Sequence, residues 1–358
     1  MASARHCIAT LLCLLAATTV AADDFTIGVV SPQKGPYAVL GTQIDAGAGI
    51  GAALHGNRVV RVPDGCEAAD GAEIARQLIE AKAQVATGFL CTESLEAALP
   101  ALKEAGIPAI ALGVRSDILM EDALKNGWPL FRLGPSQAAE VQKLASVIGT
   151  VWSAEPFALV DDGAIGNHDL VERLRVALEE SGVKPVLMDT LRPGQDQQLT
   201  LVRHLSSAGV LRVFVAADRD DIAVLARDLI EQAAPISVLA GSTIETTPEA
   251  IPLPAGVQGL VVKDPAQDPA NADLVKDMRV KGVEPEGYVL PALAAQIVAD
   301  QALAAAGSEG KPLIEVLTGR AFDTPVGPVR FTDRHELTEN PFVIQQWNGK
   351  AFVAPPAQ

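Results

Sequence analysis

Short β-branched runs alternate with alanine-rich amphipathic segments along most of the chain. The runs FTIGVV (25–30), RVVRV (58–62), QVATGFL (84–90), IPAIAL (107–112), PFALV (156–160), KPVLMDT (184–190), LRVFVAA (211–217), ISVLA (236–240) and GLVVK (259–263) have the length and residue types of strands. Between them, GAEIARQLIEAKA (71–83), SLEAALPALKEAG (94–106) and DLVERLRVALEESG (169–182) repeat apolar residues at helical spacing. The last two end on glycine, as helix C-termini commonly do. Continuous apolar strands alternating with helices describe a parallel sheet covered on both faces. The alternation pauses at PLFRLGPS (129–136) and then resumes. The pattern therefore predicts an α/β chain of two doubly wound parallel-sheet lobes joined by short crossovers.

The first residues set the compartment. MASARHCIATLLCLLAATTVAA (1–22) carries Arg5 near its start, an apolar run from Ile8 to Leu15, and small residues after it. Cutting after Ala22 puts Val20 and Ala22 where a secretory signal peptide needs small side chains. The run is too short to span a bilayer, and Leu12 ahead of Cys13 does not suit a lipoprotein signal. The expectation is a periplasmic chain that starts near Asp23, with no second apolar stretch of about 18 residues. A mature chain of roughly 335 residues suits two lobes better than one domain.

Removing that segment changes the cysteine count. Of four cysteines only Cys66 and Cys91 remain, and two cysteines in an oxidising compartment most simply form one disulfide. On the chain-entropy model such a bridge adds ~3–4 kcal/mol. Neither cysteine has a CxxC partner or a nearby histidine for zinc, and the five histidines are scattered. Neither a metal nor a cofactor is called for. The formal charge of −16, or −17 without Arg5, argues against nucleic acid or an anionic membrane as partner.

In doubly wound sheets ligands bind beyond the carboxyl ends of the strands. That puts SPQKGPYAVLG (31–41), CTES (91–94) and GVRSD (113–117) on one binding edge, each leading into a helix whose N–H groups face the crevice. Thr92 and Ser94 read as N-caps of a helix over 95–105, with Thr92 also able to offer its hydroxyl and N–H to a carboxylate.

Within that frame, IGVVSPQKGPYAVLGTQIDAGAGIGAAL (27–54) resembles the opening of the periplasmic leucine/isoleucine/valine-binding proteins. The likeness continues through residues 64–117, including the Cys66-to-Cys91 spacing of 25, which in that family is a disulfide. Weaker similarity extends through FALVDDGAIGNHDL (157–170), VFVAADRDDIAVLARDL (213–229) and EGYVLPALAAQIVADQAL (286–303). The resemblance implies a bilobal type I solute-binding protein with three crossovers, serving the permease of an ABC importer and doing no covalent chemistry. The lobes would be 1–22 removed, then 23–136 with 264–332, and 137–263 with 333–358. A monomer is expected.

Carried over residue by residue, the resemblance assigns the ligand's carboxylate to Thr92 and to Gly113, Val114 and Arg115. Arg115 stands where the family usually has threonine. A guanidinium there either grips a carboxylate bidentately or is a solvated loop arginine. Tyr288 falls on an aromatic of the pocket wall. The tyrosine before the loop glycine is replaced by Leu40, with Tyr37 three residues earlier. In the second lobe the aromatic position aligns to Ile165, or to Gly166 after a shift of one. The next falls on Asp218 or Arg219. The acidic clamp for an ammonium aligns near Ser242, with Glu245 three residues on. An amino acid, an amide, or an aliphatic or aromatic acid all remain open as ligand.

Other motifs carry little. GAGIG (47–51) lies inside a helix rather than at a strand–helix turn, so it is not a dinucleotide fingerprint. Asp161, Asp162 and His168 read as a strand-end turn. The expected function is a periplasmic importer receptor for a small carboxylate-bearing or amino-acid-like solute. The alternative is a sensory protein of the same fold that reports occupancy to a membrane partner. An enzyme has no constellation behind it.

Overall fold

The computed structural model describes residues 25–246 and 251–356; the expected leader and its cleavage point lie outside them. The chain first lays down β1 (Thr26–Pro32), α1 (Ala38–His55), β2 (Arg58–Asp64), α2 (Gly71–Glu80), β3 (Val85–Gly88), α3 (Thr92–Ala105), β4 (Ala109–Ala111), α4 (Asp117–Asn126) and β5 (Leu130–Arg132). These five strands are parallel, in the order β2-β1-β3-β4-β5.

After a first crossover come α5 (Gln137–Val147), β6 (Phe157–Asp161), α6 (Ile165–Glu180), β7 (Leu187–Thr190), α7 (Leu199–Ser207), β8 (Arg212–Ala216), α8 (Arg219–Glu231), β9 (Ser237–Ala240) and β10 (Gln258–Val262). The chain then returns with α9 (Ala272–Val280), α10 (Val289–Glu309), α11 (Leu313–Gly319) and the hairpin of β11 (Ala321–Thr324) and β12 (Gly327–Arg330). A third crossover adds β13 (Phe342–Trp347) and β14 (Phe352–Val353) antiparallel to the second sheet, whose order is β14-β13-β10-β9-β8-β6-β7. The result is two doubly wound lobes joined by three crossovers.

Strand periodicity explains why both faces of each sheet are covered. Along β1, Ile27 and Val29 enter the core formed with α1 and α10, while Val30 enters the core formed with α2 and α3. Along β8, Val213 and Val215 meet α7 and α8, while Phe214 and Ala216 meet α5 and α6. Every one of these side chains is fully buried, which is why the strands read as unbroken apolar runs.

Two expectations need correcting. The pause at 129–136 contains β5, a three-residue edge strand too short to show a period. A second long apolar segment does exist. It is α10, 21 residues with a mean hydropathy of 1.5 in its most apolar window. Ala292, Ala295, Val298, Ala299 and Ala302 on it are buried in the first lobe's core, so its apolar faces are taken by protein. Two of the three GAGIG glycines, Gly47 and Gly51, belong to the same contact. A Cβ on Gly47 would lie 2.0 Å from the Val289 carbonyl oxygen, and one on Gly51 would lie 2.5 Å from Gln296 Cβ. Glycine lets α1 close on α10.

Candidate functional site

The disulfide ties the segment after β2 to the segment after β3. Cys66, just after β2, is bridged to Cys91, just after β3, with their Cα atoms 5.1 Å apart. Beside it Asp64 accepts hydrogen bonds from the Cys66 N–H at 2.8 Å and the Ser94 hydroxyl at 2.9 Å. Burial raises the Asp64 carboxyl above its ordinary value, and these two bonds oppose the rise. Asp64 and both sulfurs lie close together, but the sulfurs are spent in the bridge, leaving no thiolate for a metal. The capping expectation fails here. Cys91 itself is the N-cap of α3, held in extended conformation at φ −108° and ψ 125°, and no side chain caps the end. Thr92 is therefore the first helical residue, and Ser94 is buried one turn into α3 against Asp64.

The loop after β4 crosses to the other lobe. Val114 turns its side chain into the first lobe's core, so only its backbone is left for the edge. Gly113 is packed so closely that a Cβ would lie 2.6 Å from Leu90 Cδ2 and 3.0 Å from the Tyr288 hydroxyl. Arg115 donates through Nη1 to the Ser242 hydroxyl at 3.0 Å and through Nη2 to the Glu140 carboxylate. The second oxygen of Glu140 accepts the Ser242 backbone N–H at 2.9 Å. A guanidinium and a backbone N–H thus grip a carboxylate across the lobes, with the Ser242 hydroxyl accepting from the guanidinium, and that carboxylate is the protein's own. Glu140 is only 4% exposed, and the Arg115 guanidinium lies 5.7 Å from the centre of the Phe342 ring. A second ion pair also spans the lobes, from Arg173 on α6 to Asp117 on α4 at 2.9 Å.

Glu245, on the short turn Ser242–Glu245 after β9, adds another carboxylate. The residue is exposed, yet protein crowds its carboxyl, and this desolvation pushes it up to about 7. Asp264 and Glu140 act in the same direction, against the Val262 N–H bonded at 3.0 Å and the charge of Arg115. Burial likewise raises the Tyr288 phenol, with Arg115 opposing.

A family model described as periplasmic binding protein matches residues 24–351. The chain belongs to that family. Its members are solute-binding components of transport, not enzymes. An amino acid binding protein of Pseudomonas aeruginosa is 26% identical over 349 residues, covering 93% of this chain and 92% of that protein. Among solved structures, a solute binding protein of an ABC transporter from Rhodopseudomonas palustris, in complex with p-hydroxybenzoic acid, matches at a TM-score of 0.69. It is 17% identical, over 92% of this chain and 95% of that one. A leucine binding protein from Thermotoga maritima matches at 0.67 with 18% identity, over 92% and 98%. At these identities the structural matches establish the fold, a type I periplasmic binding protein.

Against that family frame the remaining candidate residues scatter. Tyr37, preceding α1, is 49% exposed, and Ile165, opening α6, is 91% exposed; a Cβ on Gly166 would meet nothing within 4 Å. Asp218 is the N-cap of α8. Arg219 turns away from Arg115: it lies 4.9 Å from the centre of the Trp347 ring and donates to the Ile244 carbonyl at 2.6 Å, on the α8 side of the sheet. Asp161 and Asp162 accept the Gly163 and Ala164 N–H groups at 2.8 and 2.9 Å, and His168 pairs with Asp161 at 3.0 Å. That is the strand-end turn read from sequence.

Glu140 was missed altogether. Its signal was present, because it shares a helical stripe with Val141, Leu144 and Ile148, all buried. An acid on a core stripe asks for a buried partner.

Proposed function

We propose that the protein is the exported receptor of an ABC importer, closing on one small amino-acid-like or carboxylate-bearing solute. The lobes are residues 23–136 with 264–332 and residues 137–263 with 333–358, the chain is monomeric, and the leader is removed after Ala22. A single observation carries the reading. Arg115 of one lobe meets Glu140 and Ser242 of the other at the carboxyl edge of both sheets, where a doubly wound fold presents its ligand loops. Two relatives support the range of solutes to try, one described as binding amino acids and one holding p-hydroxybenzoic acid.

A ligand that touches both lobes stabilises the closed form by its differential affinity for it. A thermal-shift screen of amino acids, amides, and aliphatic and aromatic acids identifies binders. Small-angle scattering with the best binder should then show a smaller radius of gyration than without it. Dimensions that stay the same with a saturating binder refute closure and favour a sensory use of the fold.

A further inference from the structure

The grip around Arg115 has the parts that a free carboxylate ligand would need, and Glu140 already fills it. One Glu140 oxygen takes the guanidinium and the other takes the Ser242 N–H, while the Ser242 hydroxyl takes the remaining arm of the fork. We propose that Glu140 is a specificity-determining residue, an internal carboxylate that closes Arg115 to free acids, so that the cleft accepts a small solute presenting an amide or amine at this end. The inference rests on the receptor reading above and narrows its solute class.

Three arguments support it. A solute carboxylate could reach Arg115 in only two ways. Displacing Glu140 would strand a carboxylate that is 4% exposed, with only the Ser242 N–H for company. Sharing the fork would set two like charges within hydrogen-bonding reach of one guanidinium, which disfavours the ionised form of one of them. Next, Arg115 keeps N–H donors in hand, among them Nε, which is buried and has no partner among the described residues. With its charge already paired to Glu140, what the guanidinium can still use is a neutral acceptor such as an amide carbonyl oxygen, not a second charge. Finally, Glu245 stands on the same turn as Ser242, and Asp264 and Glu140 both act on its carboxyl. Two carboxyl groups beside a single, already paired arginine favour a solute that donates hydrogen bonds over another acid, whether Glu245 is ionised or neutral.

Matched series test this: leucine, leucinamide, isopentylamine and 4-methylvalerate, and benzoate, benzamide and benzylamine. Affinities are measured by calorimetry on the wild-type protein and on Glu140→Gln. In the wild type the amide or amine of a series should bind about tenfold or more tighter than its matched acid. Glu140→Gln should narrow that ratio by about tenfold, chiefly by tighter binding of the acid. An acid that binds wild type as tightly as its amide overturns the assignment while leaving the receptor reading intact. So does a ratio unchanged by Glu140→Gln. If that variant fails to fold, the wild-type ratio decides alone. If no member of either series binds either protein, the small-solute reading of the cleft fails and this inference falls with it.

Discussion

Arg115→Ala is the substitution on which the site stands or falls. It removes the guanidinium that serves both Glu140 and Ser242, leaving Glu140 buried with one N–H donor. Breaking a fully buried ion pair from one side typically costs 3–5 kcal/mol. Here the cost is reduced, because Arg115 is only half-buried and Glu140 keeps the Ser242 N–H. The lost Ser242 hydroxyl bond adds about 1 kcal/mol. The expected destabilisation of the closed form is therefore roughly 2–3 kcal/mol.

The lobes can relieve that penalty by opening and hydrating Glu140, so two measurements are needed. Urea unfolding reads global stability, with Trp128 in the first lobe and Trp152 and Trp347 in the second as reporters. Small-angle scattering reads opening. Adding Glu140→Gln to Arg115→Ala removes the stranded charge and should recover most of the loss. Arg115→Ala within about 0.5 kcal/mol of wild type and unchanged in dimensions refutes the grip. So does a double variant no better than the single one. A reading that sets Arg115 only against a ligand expects folding to be untouched, so the experiment separates the two views.

Mass spectrometry without reductant should find the exported protein two hydrogens lighter than its reduced form. Replacing both cysteines by serine should cost about 3.5 kcal/mol for a loop of 25 residues, and a loss below about 1 kcal/mol would refute the bridge as a structural staple. In an NMR titration His168 should titrate above the ordinary histidine value because of its bond to Asp161, and His335 below it because of burial. The His168 contribution to stability is then fully present below pH 6.5 and lost as pH rises through its folded value. That of neutral His335 is present above pH 6.5 and lost as pH falls. A His168 midpoint at or below the ordinary value, or a His335 midpoint at or above it, would refute that assignment.

Much of the fold is legible because its causes are local. Strands buried on both faces must be apolar throughout, so β1, β3, β6, β8 and β9 announce themselves without any knowledge of their neighbours. The cysteine pair was legible for a different reason, since an exported chain with two thiols has few alternatives. The β13–β14 and β11–β12 hairpins, which lie beyond the last regular unit, were not read. The three-residue β5 was hidden by its length, and α10 by two interruptions: Pro291 falls in its first turn, where no intrahelical N–H is needed, and the buried Gln296 donates to the Thr87 hydroxyl at 2.9 Å.

The site divides in the same way. Strand carboxyl ends fall at predictable points of a doubly wound chain, which is how Arg115 could be set on the expected binding edge, whereas Ser242 was reached only through the family resemblance. Sequence alone could not join them. Arg115 lies 25 residues from Glu140 and 127 from Ser242, and all three meet only after the first crossover has turned the second lobe over the first. The same holds for Val114, which stands on a ligand loop but points into the core. Periodicity reports which side of its own element a residue occupies. Which charge it meets across a cleft is set by how the crossovers orient two separately folded sheets, and that is a property of the tertiary structure alone.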